Sequence, residues 1–112
     1  MKKAVTLKNN YEFQRMYRKA PSAVTPCVVV YCRRNRLGRN RLGITVSTKL
    51  GKAVVRNRAR RRLREAYRLA QPAMKQGYDL VLVARGRVLT APWEQVCSCM
   101  DRALDKMGVK EG

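Results

Sequence analysis

Histidine is absent from the 112 residues of this sequence, and only seven residues are acidic. A protein that cleaves nucleic acid by its own chemistry needs a general base or a cluster of metal ligands. Three carboxylates, those of Glu94, Asp101 and Asp105, fall within about 40° on one predicted helix. Six apolar residues occupy the other side of that helix: Trp93, Val96, Met100, Ala103, Leu104 and Met107. We therefore expect the carboxylates to face solvent, and no catalytic protein residue is predicted.

Long apolar runs are also missing, which argues against a membrane span and against a signal peptide. We expect a cytoplasmic protein with no membrane partner, whose four cysteines are reduced. Cys27 and Cys32 have opposite parity on one predicted strand and should point to opposite faces. Cys97 and Cys99 lie about 200° apart on a helix. Neither pair has the spacing of a zinc site, so we expect no bound metal and four thiols in or near the core.

Positive charge is what the sequence has in excess. It holds 26 Lys and Arg, with a net charge of +19 and a pI near 11.0. Such a charge destabilises a compact chain by self-repulsion, and a polyanionic partner would relieve it. A nucleic acid is the leading candidate for that partner, and an anionic membrane surface is second. Residues 33–70 concentrate the charge, with fourteen basic residues and one acid.

Hydrophobic periodicity predicts an α+β sandwich formed by a single domain over residues 1–112, with a folded core of about 7–107. The 46% of apolar residues suffices for a modest core. The predicted elements are a helix at 7–19, an optional strand near 22–26, strands at 27–33 and 41–47, a helix that follows 48–55 and ends near 70, a strand at 77–85, and a last helix.

Turn and capping residues fix several of these boundaries. Asn9 or Asn10 is expected to cap the first helix. The two strands at 27–33 and 41–47 are expected to form a hairpin. The last helix is expected to begin with Thr90 as its cap and to end at Gly108.

The most charged stretch, VVRNRARRRLREAY (54–67), holds six arginines and one acid, Glu65. On a helix, its apolar residues form one stripe and several of its arginines form one band beside it. The stripe consists of Ala59, Leu63, Ala66, Tyr67 and Ala70, and the band of Arg60, Arg61, Arg64 and Arg68. A solvated helix face usually mixes acids with bases, whereas here like charges repeat at i, i+4. The use of arginine rather than lysine favours phosphate binding over simple solvation.

The residues around this helix resemble a known family. The stretch LGITVSTKLGKAVVRNRARRRLREAY resembles the signature of the protein subunit of bacterial ribonuclease P, with Arg56, Asn57 and Arg58 as its Arg-Asn-Arg core. LKNNYEFQRMY resembles the first helix of that family and YDLVLVAR a later strand. The resemblance implies a mixed sheet with a left-handed β–α–β crossover, the fold of the second domain of a ribosomal small-subunit protein, although right-handed crossovers are the general rule.

The resemblance also implies a function. Proteins of that family assist a catalytic RNA, which with its bound Mg²⁺ removes the 5′ leader from precursor tRNA. This chain would then be a non-catalytic subunit, present as one protein per RNA. The predicted contacts with the RNA subunit are Arg56, Asn57, Arg58, Arg60, Arg61, Arg64 and Arg68. The predicted leader-binding residues are Phe13, Tyr17 and Tyr31, whose rings can stack on unpaired bases, with Arg15 and Arg18 beside the phosphates.

Four alternatives stay open from the sequence. Phe13 and Tyr17, at i and i+4, could belong to the core instead of a ligand platform. Arg62 stands where relatives are expected to have an apolar residue, so it could be buried or could contact RNA. The chain could instead be a ribosomal or other structural RNA-binding protein. It could also be a nuclease by itself.

Overall fold

Five strands form one mixed sheet in the part of the chain that the structure describes, and three α-helices cover its faces. The structure is a computed structural model that describes residues 5–6 and 10–111, with side chains from residue 13 onward. The elements are β1 (Val5–Thr6), α1 (Asn10–Lys19), β2 (Ser22–Val24), β3 (Val28–Arg34), β4 (Arg41–Thr45), α2 (Ala53–Ala70), β5 (Tyr78–Ala84) and α3 (Trp93–Lys106), with 3₁₀ turns at Thr48–Leu50, Gln71–Ala73 and Gly86–Leu89. The predicted α+β class is confirmed, and the optional strand near 22–26 is β2.

The strand order is β1–β4–β5–β3–β2. β4 runs parallel to both β1 and β5, whereas β3 is antiparallel to β5 and to β2. Because β4 and β5 are parallel neighbours, α2 is the helix of a β–α–β crossover between them, as the resemblance implies. The left-handed sense of that crossover stays an expectation from the resemblance.

The predicted hairpin between strands 27–33 and 41–47 is wrong. β5 lies between β3 and β4 and pairs with both, so the connection between those two strands crosses the start of β5. Asn40 holds this crossing: its Nδ2 donates to the Lys75 carbonyl at 2.8 Å, and its Oδ1 accepts from the Tyr78 N–H at 2.9 Å. A long-range pairing of this kind leaves no local pattern, since strand spacing alone favours the nearest partner.

The two faces of the sheet bury different side chains. α2 and α3 pack on one face and form the main core with it. α1 packs on the other face, where Met16 and Val81 are buried and Phe13, Tyr17 and Tyr31 are partly buried. The sheet therefore separates the arginine helix from the aromatic side chains of the first helix.

The predicted anchor of α2 is confirmed, because its buried residues are those of the apolar stripe: Ala59, Leu63, Ala66, Tyr67 and Ala70. Tyr67 is 1% exposed, and its burial raises the pKa of its hydroxyl to about 12. The helix axis is thus fixed against the sheet, and the remaining circumference of α2 is directed outward.

The ends of two helices differ from prediction. α3 begins at Trp93 with Pro92 as its N-cap, and Thr90 lies outside the helix, so the predicted cap is wrong. Gly108, with φ of 74°, ends α3 as predicted. In α1, Asn10 is already helical, and the predicted residues 7–9, with Asn9 as a cap, lie outside the described residues.

The outer face of α3 is partly as predicted. Its carboxylates at 94, 101 and 105 are exposed, as expected. Trp93 was expected on the core side, but it is 37% exposed, so this prediction is wrong. It is the first residue of the helix, and its ring lies against the Arg62 guanidinium.

The four cysteines are free thiols, three buried and one, Cys97, partly buried. Cys27 and Cys32 both lie in the main core, so the prediction of opposite faces is wrong. Strand parity fails because Cys27 precedes β3, in a turn where the Thr25 hydroxyl donates to the Val28 carbonyl at 2.6 Å. Burial raises the pKa of Cys32 to about 12, which keeps that thiol protonated.

Candidate RNA interface

A glycine turn sets the start of the arginine helix. Gly51 has φ of 141°, a conformation that side chains rarely adopt, and a Cβ there would lie 3.2 Å from the Val55 side chain. The 3₁₀ turn before it is capped by the Ser47 side chain, which accepts from the Lys49 N–H at 3.1 Å. α2 then begins at Ala53 with Lys52 as its N-cap. The direction of the helix is therefore fixed by backbone geometry within a few residues of the Arg-Asn-Arg sequence.

The predicted RNA contacts divide into two groups along α2. Asn57, Arg58, Arg61 and Arg64 are exposed, whereas Arg56, Arg60 and Arg68 are partly buried. The exposed arginines are spaced by three residues and cover one side of the helix, where neighbouring turns bring them together. We refer to Arg58, Arg61 and Arg64 below as the exposed arginine row.

Several of the partly buried arginines have partners within the protein. Arg60 donates from Nη1 to Oδ1 of Asn57 at 3.0 Å, so two of the predicted RNA contacts are joined to each other. Arg68 forms a two-point ion pair with Glu65, and hydrogen bonding by Arg68 holds the pKa of Glu65 below its ordinary value. Arg68 is therefore the least available of the band for a phosphate.

Arg56 has an enclosed donor. Its Nε is buried and has no hydrogen-bond partner among the described residues. A buried donor without an acceptor costs free energy, about 1–3 kcal/mol. Rotation of this side chain toward an external acceptor such as a phosphate would relieve that cost.

The role of Arg62, which the sequence left open, is structural. Its Nη2 donates to the Ala91 carbonyl at 2.8 Å, Nη1 lies 3.5 Å from the Leu89 carbonyl, and its guanidinium carbon lies 5.8 Å from the centre of the Trp93 ring. Arg62 therefore joins α2 to the segment that precedes α3. No periodicity indicated this contact, since it depends on where a 3₁₀ turn brings two carbonyl groups.

The second predicted surface lies between α1 and the other face of the sheet. The hydroxyl of Tyr17 is 2.8 Å from Oγ1 of Thr45, and the Tyr17 and Tyr31 rings meet edge to face with centroids 5.2 Å apart. Phe13 is partly buried in the same cluster, and Arg15 and Arg18 are exposed on α1. The three rings are thus brought together, and part of each remains accessible. Their role as a platform for bases stays a prediction.

The two surfaces approach each other at the end of β4. Thr45, the last residue of β4, contacts Tyr17 on one face of the sheet. The following residues, 46–52, connect β4 to α2, which packs on the other face.

A partly buried ion pair lies on the α1 face of the sheet. Arg41 donates to both oxygens of Asp79, each at 2.8 Å, and Asn35 donates to Oδ1 of Asp79 at 2.8 Å. Burial of Asp79 opposes its ionisation, but the bonds from Arg41 and Asn35 outweigh it and hold the pKa of the carboxyl below its ordinary value. This pairing depends on β4 lying beside β5, and the predicted hairpin of β3 with β4 concealed it.

Two carboxylates of the described residues outside α2 have partners within the protein. Asp79 is held by Arg41 and Asn35, and Asp101 lies 3.5 Å from the Lys110 amine. Within residues 5–6 and 10–111, no three side chains of the types His, Cys, Asp and Glu come together as a ligand group. No helix of that part is long and apolar enough to cross a membrane.

Comparison with known proteins agrees with this geometry. The model of the family described as Ribonuclease P matches residues 1–108. This chain belongs to the ribonuclease P protein family. It is thereby a subunit of an endoribonuclease complex of tRNA processing, and the resemblance seen in the sequence is confirmed over nearly its whole length. The ribosomal alternative is not supported.

Relatives of the ribonuclease P family match in sequence and in fold. The ribonuclease P protein component of Thermoanaerobacter sp. (strain X514) is 40% identical over 111 residues, which are 99% of this chain and 96% of that relative. The Staphylococcus aureus RNase P protein has a similar structure, with a TM-score of 0.84 and 33% identity over 97% of this chain and all of that one. The Thermotoga maritima RNase P protein matches with a TM-score of 0.77 and 27% identity over 87% of this chain and 92% of that one.

Proposed function

We propose that the outward side of α2 binds the RNA subunit of ribonuclease P. The observation that carries this proposal is the exposed arginine row, Arg58, Arg61 and Arg64, on a helix whose opposite stripe is buried in the main core. Guanidinium groups in fixed positions bind phosphate oxygens by paired hydrogen bonds. Arg56 and Arg60 flank the row, and Asn57 helps to orient Arg60.

The 5′ leader of precursor tRNA lies, in this proposal, along the α1 face of the sheet. Phe13, Tyr17 and Tyr31 offer ring surfaces on which unpaired bases stack, at about 1–3 kcal/mol per base. Arg15 and Arg18, both exposed on α1, lie next to these rings along the helix and are suited to the leader phosphates. The protein then holds its RNA subunit and its substrate on opposite faces of one sheet.

Catalysis belongs, in the same proposal, to the RNA subunit and to Mg²⁺ held mainly by RNA, with one protein per RNA in the cytoplasm. The support is the family to which the chain belongs. Bound Mg²⁺ would stabilise the negative charge that develops on the reacting phosphate. This chain binds the RNA subunit, positions the leader of the precursor tRNA and lowers the electrostatic repulsion between the two RNAs.

Reconstitution tests the proposal. The purified protein is added to the catalytic RNA of the same organism, and leader removal from precursor tRNA is followed at low Mg²⁺ concentration. We expect no cleavage by the protein alone, weak cleavage by the RNA alone and strong cleavage by both together. Failure to stimulate the RNA would contradict the proposal, and metal-dependent cleavage by the protein alone would make the chain a nuclease in its own right.

A further inference from the structure

Trp93, the one tryptophan of the chain, lies on the surface next to the arginine helix. It is 37% exposed, whereas the other apolar residues expected on the same side of α3 are buried or partly buried. Tryptophan is enriched at interfaces, because its large ring is apolar and its N–H is polar. Trp93 is also outside both surfaces of the proposed function.

Arg62 holds the position of this indole. The guanidinium lies 5.8 Å from the ring centre, within the range of a cation–π contact, and its bonds to the Ala91 and Leu89 carbonyls prevent it from moving away. Arg62 is thereby a positioning residue. It fixes the side chain of Trp93 before any ligand arrives, which lowers the entropy cost of binding.

The charges around Trp93 are complementary to RNA. Arg58, a member of the exposed arginine row, lies one helical turn before Arg62 on the same side of α2. Arg87 is exposed on the 3₁₀ turn that precedes α3. Glu94 is an exposed acid next to the indole in sequence, and Glu65, three residues after Arg62, is already paired with Arg68. Positive charge is therefore in local excess. An exposed aromatic ring among cations is the combination that single-stranded nucleic acids bind.

We propose that Trp93, held by Arg62, is a stacking site for an unpaired nucleobase of RNA, at the edge of the interface that begins with Arg58. The site extends the interface from α2 to the start of α3. The ligand is a base from a loop, bulge or end, since bases in a duplex are already stacked. This inference rests on the proposed function, because it requires that α2 binds RNA.

Intrinsic fluorescence tests this site directly, because Trp93 is the sole tryptophan. The full chain is titrated with the catalytic RNA of the same organism and, separately, with heparin, a polyanion that has no bases. We expect RNA to quench the tryptophan emission and heparin to bind without quenching it. Equal quenching by both would show a charge effect on the indole and would overturn the stacking site.

Affinity of variants provides the second readout. Trp93→Leu should weaken RNA binding about tenfold, the order expected for one stacked base, with the salt dependence of binding unchanged because no charge is lost. Trp93→Phe should retain part of the affinity and guards against a folding defect in the leucine variant. The control is Leu37→Ala, which removes another exposed large apolar side chain, in the turn that follows β3. This variant should bind RNA as the wild type does.

The outcomes separate this inference from the proposed function. If wild-type protein fails to bind the RNA, both are overturned. If the wild type binds the RNA, and Trp93→Leu and Trp93→Phe both bind as tightly as the wild type, only the stacking site is overturned. If the wild type self-associates in sedimentation and Trp93→Leu does not, a second copy of the chain occupies the indole, and the nucleobase assignment is again overturned.

Discussion

The hydroxyl of Tyr17 lies 2.8 Å from Oγ1 of Thr45, and this contact ties α1 to the last residue of β4. One end of the Tyr17 ring is therefore held by the sheet, while its edge-to-face contact with Tyr31 fixes the orientation of the ring. A ring fixed in this way is suited to stack on a base without first losing conformational entropy.

Replacing Tyr17 should separate the hydrogen bond from the ring. Tyr17→Phe should lower the free energy of unfolding by about 1 kcal/mol and keep the preference for precursor over mature tRNA. Tyr17→Ala should lose that preference, by roughly the free energy of one stacked base. The measurement is the binding of both tRNAs by reconstituted holoenzyme, with Met16→Ala as the buried control. Equal losses for both tRNAs in Tyr17→Ala would make this ring a core residue only.

Arg62 and Arg61 are neighbours on α2 and should behave in opposite ways. Arg62→Ala should lower the free energy of unfolding by about 1.5–3 kcal/mol, because the Ala91 carbonyl loses a charged donor. Arg61→Ala should leave the free energy of unfolding nearly unchanged. It should reduce the slope of log K for RNA binding against log salt concentration by about one. Urea unfolding and salt-dependent RNA binding distinguish the two. Wild-type stability of Arg62→Ala would show that its carbonyl contacts contribute nothing.

Asp79 should make stability depend on pH. Its folded-state pKa lies below the ordinary value of 3.8, so ionised Asp79 stabilises the folded chain above that pH. As pH falls through the folded-state pKa, this contribution is lost. Asp79→Asn should therefore be less stable by about 2 kcal/mol at pH 7 and approach wild type at low pH. Thermal unfolding from pH 7 down to about pH 2 checks this, and a difference that persists unchanged at the acid end would exclude the carboxylate charge as its origin.

Gly51 should be needed for the direction of α2. Gly51→Ala forces a side chain into a positive φ and against Val55, which should cost about 1–3 kcal/mol. RNA binding should weaken as well, because the exposed arginine row follows this turn. Gly86→Ala is the matched control, since a Cβ there meets nothing within 4 Å. Similar losses in the two variants would refute the special role of Gly51.

Local patterns predicted the helices better than the sheet. The apolar stripe of α2 was predicted residue by residue, since the helical period depends only on the chain itself. The place of β5 between β3 and β4 was missed, because strand pairing is decided by tertiary contacts such as those of Asn40. The ion pair of Arg41 with Asp79 was missed for the same reason.

The candidate residues of the site were available from the sequence, but their arrangement was not. The sequence and its family resemblance indicated which arginines and aromatic residues to consider, and the structure places the two groups on opposite faces of the sheet. Arg62 and Trp93 could not be assigned from periodicity. Their contact joins α2 to the start of α3, just after a 3₁₀ turn. The sequence does not show how such a turn orients the residues that follow it.

Salt dependence of RNA binding tests the central claim most directly, that the exposed arginine row binds the RNA subunit. The triple variant Arg58→Ala, Arg61→Ala and Arg64→Ala is compared with wild type and with a triple variant of equal charge, Lys75→Ala, Arg102→Ala and Lys106→Ala, all exposed outside α2. We expect the first triple variant to bind the RNA more weakly, with the slope of log K against log salt reduced by roughly two to three. The second should keep the wild-type slope. Equal slopes for the two triple variants would contradict the account, because net charge alone would then explain RNA binding.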